Sequence, residues 1–139
     1  MFIWFKNKKP FFEEVCLDDI IHSQKTPFYL YSQNEIEKTY KELNEALLSE
    51  IFFSVKANSN QAILKLLKNC GAGADVVSSG ELQRSLEVGF DPNKIIFEGV
   101  GKSKEDIEYA IEKNIRLINI ESFNEINLIN EVSKKIKKK

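Results

Sequence analysis

A chain of 139 residues with 42% hydrophobic and 11% aromatic side chains can enclose one modest core, which excludes an intrinsically disordered segment. Its 20 basic and 21 acidic side chains nearly cancel, so a formal net charge of -1 gives no general drive toward nucleic acid or an acidic membrane surface. Cys16 and Cys70 lie far apart and outside any CxxC pattern, and the single His22 builds neither a histidine metal centre nor a catalytic triad, so no metal site is expected.

The opening Met1-Phe2-Ile3-Trp4-Phe5 is apolar, but Lys6, Lys8 and Lys9 cut it off before it reaches the length of a signal-peptide core or a membrane span. With thiols that form no disulfide framework, this reads as a cytoplasmic protein. His22 reads as a surface or helix-end histidine. Residues 1–31 are read as an N-terminal segment and strand leading into the domain that occupies residues 32–139. Ser32-x-x-Glu35 is a capping box opening a helix whose Ile36, Tyr40, Leu43 and Leu47 share one face.

From Ile51 onward, short apolar runs alternate with helical patterns. Strands are expected at Ile51–Val55, Ala74–Ser78, Ile95–Glu98 and Arg116–Ile120, with starts 23, 21 and 21 residues apart. That spacing is close to the minimum for a strand, a helix and two short loops, and the continuous apolar runs suit strands covered on both faces. Asn60 or Ser59 caps the helix containing Ile63, Leu64, Leu66 and Leu67. Ser78-x-x-Glu81 and Ser122-x-x-Glu125 are further capping boxes. Gly71 and Gly89 stand where helix C-termini need left-handed geometry, and Asp91-Pro92 stops continuation. The basic end, Lys134 to Lys139, reads as a solvated tail.

Four parallel βα units give an α/β protein that is either an open doubly wound sheet or part of a (β/α)8 barrel. A nucleotide-binding sheet would carry G-x-G-x-x-G just after its first strand; here Gly71-Ala72-Gly73 precedes a strand, which favours the barrel.

Phe53-Ser54-Val55-Lys56-Ala57-Asn58 places a lysine at the C-terminal end of a strand, where barrel enzymes assemble their sites. Alternation puts Phe52, Ser54 and Lys56 on one face and Phe53 and Val55 on the other. An inward ammonium needs compensation, which a covalent link to a carbonyl cofactor supplies; a lysine that snorkels out at the strand end is the structural alternative.

Val55-Lys56-Ala57-Asn58, followed by Gly71-Ala72-Gly73-Ala74-Asp75-Val76-Val77-Ser78-Ser79-Gly80-Glu81-Leu82, resembles the cofactor-lysine region of the diaminopimelate decarboxylases. Further similar stretches are residues 26–31, Ile96-Phe97-Glu98-Gly99-Val100-Gly101-Lys102-Ser103 and Asn119-Ile120-Glu121-Ser122, in family order across roughly residues 11–132. The resemblance implies a pyridoxal-phosphate-binding (β/α)8 barrel, present here as about four βα units. It implies that Lys56 attaches pyridoxal 5'-phosphate and that Asp75 and Glu81 are catalytic acidic residues close to it. Asp75 is an unfavourable residue inside a strand, which suits a paired role, whereas Glu81 is also explained by its cap. Ser79 replaces a glycine common among relatives, and Lys102 reads equally as a solvated charge or a site residue.

By the same resemblance the intact enzyme converts meso-2,6-diaminopimelate to L-lysine and carbon dioxide as a homodimer. Decarboxylases of ornithine, arginine or carboxynorspermidine, and a non-catalytic remnant that pairs with a full-length relative, are the alternatives. The family's stacking histidine, glycine-rich phosphate loop, ring-nitrogen glutamate and C-terminal β-domain would follow residue 139. The 139-residue chain alone is therefore expected to be a fragment without activity that self-associates, whether it arises from a frameshifted gene, a natural truncation or a chosen piece.

Overall fold

The computed structural model describes residues 3–136. Met1, Phe2 and the last three lysines lie outside the described residues, so the expectations that fall on them have no counterpart here. The chain divides into two units, Met1–Thr39 and Tyr40–Lys139.

The first unit begins with a three-stranded antiparallel sheet, β1 (Ile3–Lys6), β2 (Lys9–Phe12) and β3 (Val15–Cys16), in that order. Asn7 and Lys8 make its first turn with φ of 51° and 62°, the left-handed pair that a two-residue hairpin requires. Trp4 stacks on Phe11 with centroids 4.8 Å apart, and its indole N–H donates to the Glu13 carbonyl at 2.7 Å. Helix α1 (Leu17–Ser23) follows, with Asp18 and Asp19 at its positive end and the exposed His22 in its last turn.

Residues 24–32 carry no regular structure. A strand exists only through ladder partners, and this stretch has none, leaving Tyr29 89% exposed. Ser32 accepts from the Glu35 amide at 2.9 Å and opens α2 (Gln33–Ala46). The expected apolar face of α2 exists in sequence, but the helix has no buried residue, and Leu43 and Leu47 are exposed.

The second unit holds the βα repeat. Strands β4 (Phe52–Ser54), β5 (Gly73–Val76), β6 (Ile95–Phe97) and β7 (Leu117–Ile118) form a parallel sheet in sequence order. Helices α3 (Gln61–Cys70), α4 (Ser79–Glu87) and α5 (Lys104–Glu112) connect them, and α6 (Phe123–Ile136) follows β7. A doubly wound sheet reverses its strand order at a switch point; this one runs β4-β5-β6-β7 without reversal, as an arc of a barrel does.

One face of the sheet is the core. Val55, Ala74, Val76, Ile95 and Phe97 pack with Leu64 of α3, Leu82 of α4 and Ala110 of α5, all buried. Burying each of the larger side chains contributes about 1.5–3 kcal/mol. Helix ends are fixed locally. Asn60, rather than Ser59, caps α3 by accepting from the Ala62 amide, and Gly71 closes it at φ 108°. The Ser78 and Ser122 hydroxyls accept from the amides of Glu81 and Glu125 as expected, but the glutamates reach one residue further back, to the amides of Val77 and Glu121. The reciprocal capping box occurs instead at Ser103 and Asp106, where the shorter aspartate reaches the cap residue's own amide.

The observed strands are shorter than the expected apolar runs. Ser78 leaves the strand to cap α4. Val55–Ala57 turns into a single 3-10 turn, so Lys56 is not in the ladder and strand alternation does not set its direction.

Candidate functional site

The face of the parallel sheet opposite the helices carries Phe52, Ser54, Asp75, Ile96 and Leu117 by alternation from the core positions. At the N-terminal ends of the strands this face is closed tightly: a Cβ on Gly73 would lie 2.4 Å from the Phe52 ring. Toward the C-terminal ends it becomes polar, because Ser54 and Asp75 are paired in register and the Ser54 hydroxyl donates to Asp75 Oδ2. Asp75 Oδ1 is buried and, among the described residues, has no hydrogen-bond partner. Leaving such an oxygen bare costs about 1–3 kcal/mol, which marks it as an acceptor shaped for a donor.

Lys56 follows directly, in the 3-10 turn two residues after Ser54. Its side chain is exposed, and among the described residues it makes no hydrogen bond or ion pair. Its ammonium is accessible at the strand end. The geometry joins Asp75 to Ser54 rather than to Lys56, and Glu81 to the backbone of the β5–α4 turn through the Val77 amide at 2.9 Å. Of the three expected site residues, the fold therefore brings Lys56 and Asp75 to the same strand ends, while Glu81 holds the turn that follows Asp75.

Two further residues join this face beyond the strands. Glu98 and Asn119 lie two positions past Ile96 and Leu117, and the ladder continues to them through Glu98 N to Val76 O at 2.8 Å and Asn119 N to Phe97 O at 2.9 Å. The Asn119 amide donates to Glu98 Oε1. Period two could have found them, had the strands been extended beyond their apolar residues. Lys102 is neither a solvated charge nor on this face: its side chain is 1% exposed and its ammonium is fully bonded.

The strand end thus carries an exposed lysine amine in the turn after β4 and, on the adjacent strand, a half-buried carboxylate with one buried oxygen. The chain belongs to the family described as pyridoxal-dependent decarboxylase, pyridoxal binding domain, whose model matches residues 33–138. A curated relative, the diaminopimelate decarboxylase of Helicobacter pylori strain J99, is 45% identical over 122 residues, which is 86% of this chain and 30% of the relative. The crystal structure of diaminopimelate decarboxylase from M. jannaschii in complex with L-lysine is 35% identical with a TM-score of 0.86, covering 97% of this chain and 33% of that one. The Paramecium bursaria Chlorella virus arginine decarboxylase is 22% identical with a TM-score of 0.77 over 84% of this chain and 33% of its own, a likeness of fold alone. The chain thus spans about a third of the length of these relatives, and its four βα units are part of a (β/α)8 barrel. Among the described residues, no helix is long and apolar enough to cross a membrane.

Proposed function

We propose that this chain is the cofactor-lysine portion of a diaminopimelate decarboxylase, which converts meso-2,6-diaminopimelate to L-lysine and carbon dioxide in the cytoplasm as a homodimer. The observation that carries the reading is the accessible Lys56 amine at the end of β4, two residues beyond a serine bonded to a carboxylate with a bare oxygen. When bound, pyridoxal phosphate supplies the electron sink for the carbanion left by loss of carbon dioxide. Lys56 Nζ would hold that group and would hold or move a proton at the reacting carbon. Ser54 fixes the rotamer of Asp75, whose Oδ1 accepts a hydrogen bond from a donor brought to the site. Glu81 acts from behind, fixing the Val77 amide so that the chain turns sharply away after Asp75.

The choice of diaminopimelate over ornithine or arginine is supported by the 45% identity to a curated diaminopimelate decarboxylase, against 22% to the arginine decarboxylase. The test is carbon dioxide release by the holoenzyme containing this chain, with meso-diaminopimelate, ornithine and arginine offered separately. Turnover of diaminopimelate alone, abolished by Lys56→Ala, is the expected result; preferential turnover of ornithine or arginine would contradict it.

A further inference from the structure

Lys102 is the most enclosed charge of the second unit, and its surroundings connect it to the site face. Its ammonium has three donors and three acceptors: the carbonyls of Gly99 at 2.7 Å and Asn119 at 2.6 Å, and Glu125 Oε1 at 3.2 Å. Lys102 and Glu125 side chains are 1% and 7% exposed, so the pair is removed from water, where an ion pair by itself adds little stability. What it does supply is position. The loop after β6 contains Gly99 and Gly101 at φ 94° and 74°, two residues with wide backbone freedom. The ammonium draws this loop and the end of β7 onto one point, while Glu125, in the first turn of α6, ties that point to the Glu121 amide just ahead of the helix at 2.7 Å.

Asn119 is the link to the site. Its amide N–H is in the ladder, its carbonyl is on Lys102, and its side chain donates to Glu98 on the Asp75 face. We infer that Lys102 is a positioning residue of the proposed decarboxylase: through Asn119 it sets where the Glu98 carboxylate stands, and Glu98 meets the ammonium of the amino acid. The strand positions of that face, Phe52, Ser54, Asp75, Ile96 and Leu117, bring no cation of their own, so a second carboxylate at its mouth suits a substrate that carries ammonium groups. The inference rests on the proposed function and names the residues that orient its substrate.

The experiment measures the dissociation constant for L-lysine by calorimetry, alongside kcat/KM for meso-diaminopimelate, in the pyridoxal-phosphate-loaded holoenzyme containing this chain. Lys102→Met strands the Glu125 charge and can fail to fold, so Lys102→Met with Glu125→Gln, which removes both charges, is measured beside it. Glu98→Gln is measured alone and on the Lys102/Glu125 background. Glu98→Gln and the Lys102/Glu125 variant are each expected to weaken L-lysine binding roughly tenfold, as for loss of one contact to a charged group. Combining them is expected to weaken it no further, because both act through one carboxylate. Unchanged L-lysine affinity in Glu98→Gln, or losses that simply add, would overturn the inference. Borohydride labelling of Lys56 in the same preparations separates this outcome from failure of the proposed function, which loss of that label from Lys56 would show.

Discussion

Ser54 and Asp75 stand opposite each other on adjacent parallel strands, and the serine hydroxyl occupies one oxygen of the carboxylate while the other is buried and bare. The pair is a polar step in a sheet whose other face is wholly apolar. Ser54→Ala removes the hydrogen bond to Asp75 Oδ2 and is expected to destabilise the chain by about 1–3 kcal/mol in urea unfolding. Asp75→Leu removes the unpaired oxygen along with the carboxylate, so it is expected to cost less than Ser54→Ala or even to stabilise, while weakening cofactor retention in the holoenzyme. Equal destabilisation by both would show that the bare oxygen carries no penalty.

Gly73 is required by contact rather than by backbone freedom. A methyl group there would meet the Phe52 ring at 2.4 Å and the Lys94 carbonyl at 2.8 Å. Gly73→Ala is expected to destabilise by about 1–3 kcal/mol, the usual cost of overpacking. Phe52→Leu should relieve only the ring clash, so the double variant is expected to recover part of the loss in thermal unfolding. A Gly73→Ala variant as stable as the parent would contradict this packing.

Asp106 spans two helix starts: its Oδ1 accepts from the Ser79 amide at 3.2 Å, and its Oδ2 from the Ser103 amide at 3.0 Å. Burial alone would raise its pKa, but the hydrogen bonds from Ser79 and Ser103 outweigh that and hold it below the ordinary aspartate value. The folded state therefore binds this proton less readily than the unfolded chain. The stabilisation is complete above the unfolded pKa, near 3.9, and is lost as pH falls through the lower folded value. Asp106→Ala is expected to cost about 0.5–2 kcal/mol at neutral pH, as for loss of a helix cap, and the deficit should shrink below about pH 4. A deficit that is independent of pH from neutrality to acid unfolding would contradict this role.

Much of the repeat could be read from the chain, because its signals are local. Strand starts near Ile51, Ala74, Ile95 and Arg116 follow from apolar runs, and the turns at Gly71 and Gly89, with φ of 108° and 89°, follow from glycines placed after helical periods. The antiparallel hairpin at the start was missed because its turn is Asn7-Lys8, without the glycine that usually marks positive φ. Residues 26–31 form no strand, because ladder partners are a tertiary property that this stretch does not encode. At the site, sequence pointed to the strand end bearing Lys56 but not to its 3-10 turn, which replaces alternation with a local hydrogen bond from Asn58 N to Val55 O at 3.1 Å. Sequence left Lys102 open between a solvated charge and a site residue and did not single out Glu98, because their contacts lie 23 and 21 positions away, at Glu125 and Asn119.

The central claim is that Lys56 attaches the cofactor, and covalent labelling tests it most directly. The holoenzyme containing this chain, loaded with pyridoxal phosphate and reduced with borohydride, is digested and its labelled peptides are mapped. The account predicts one stoichiometric pyridoxyl label on Lys56, displaced when excess L-lysine is added before reduction and absent from Lys56→Ala. A stoichiometric label on another lysine, or cofactor retained undiminished by Lys56→Ala, would contradict it.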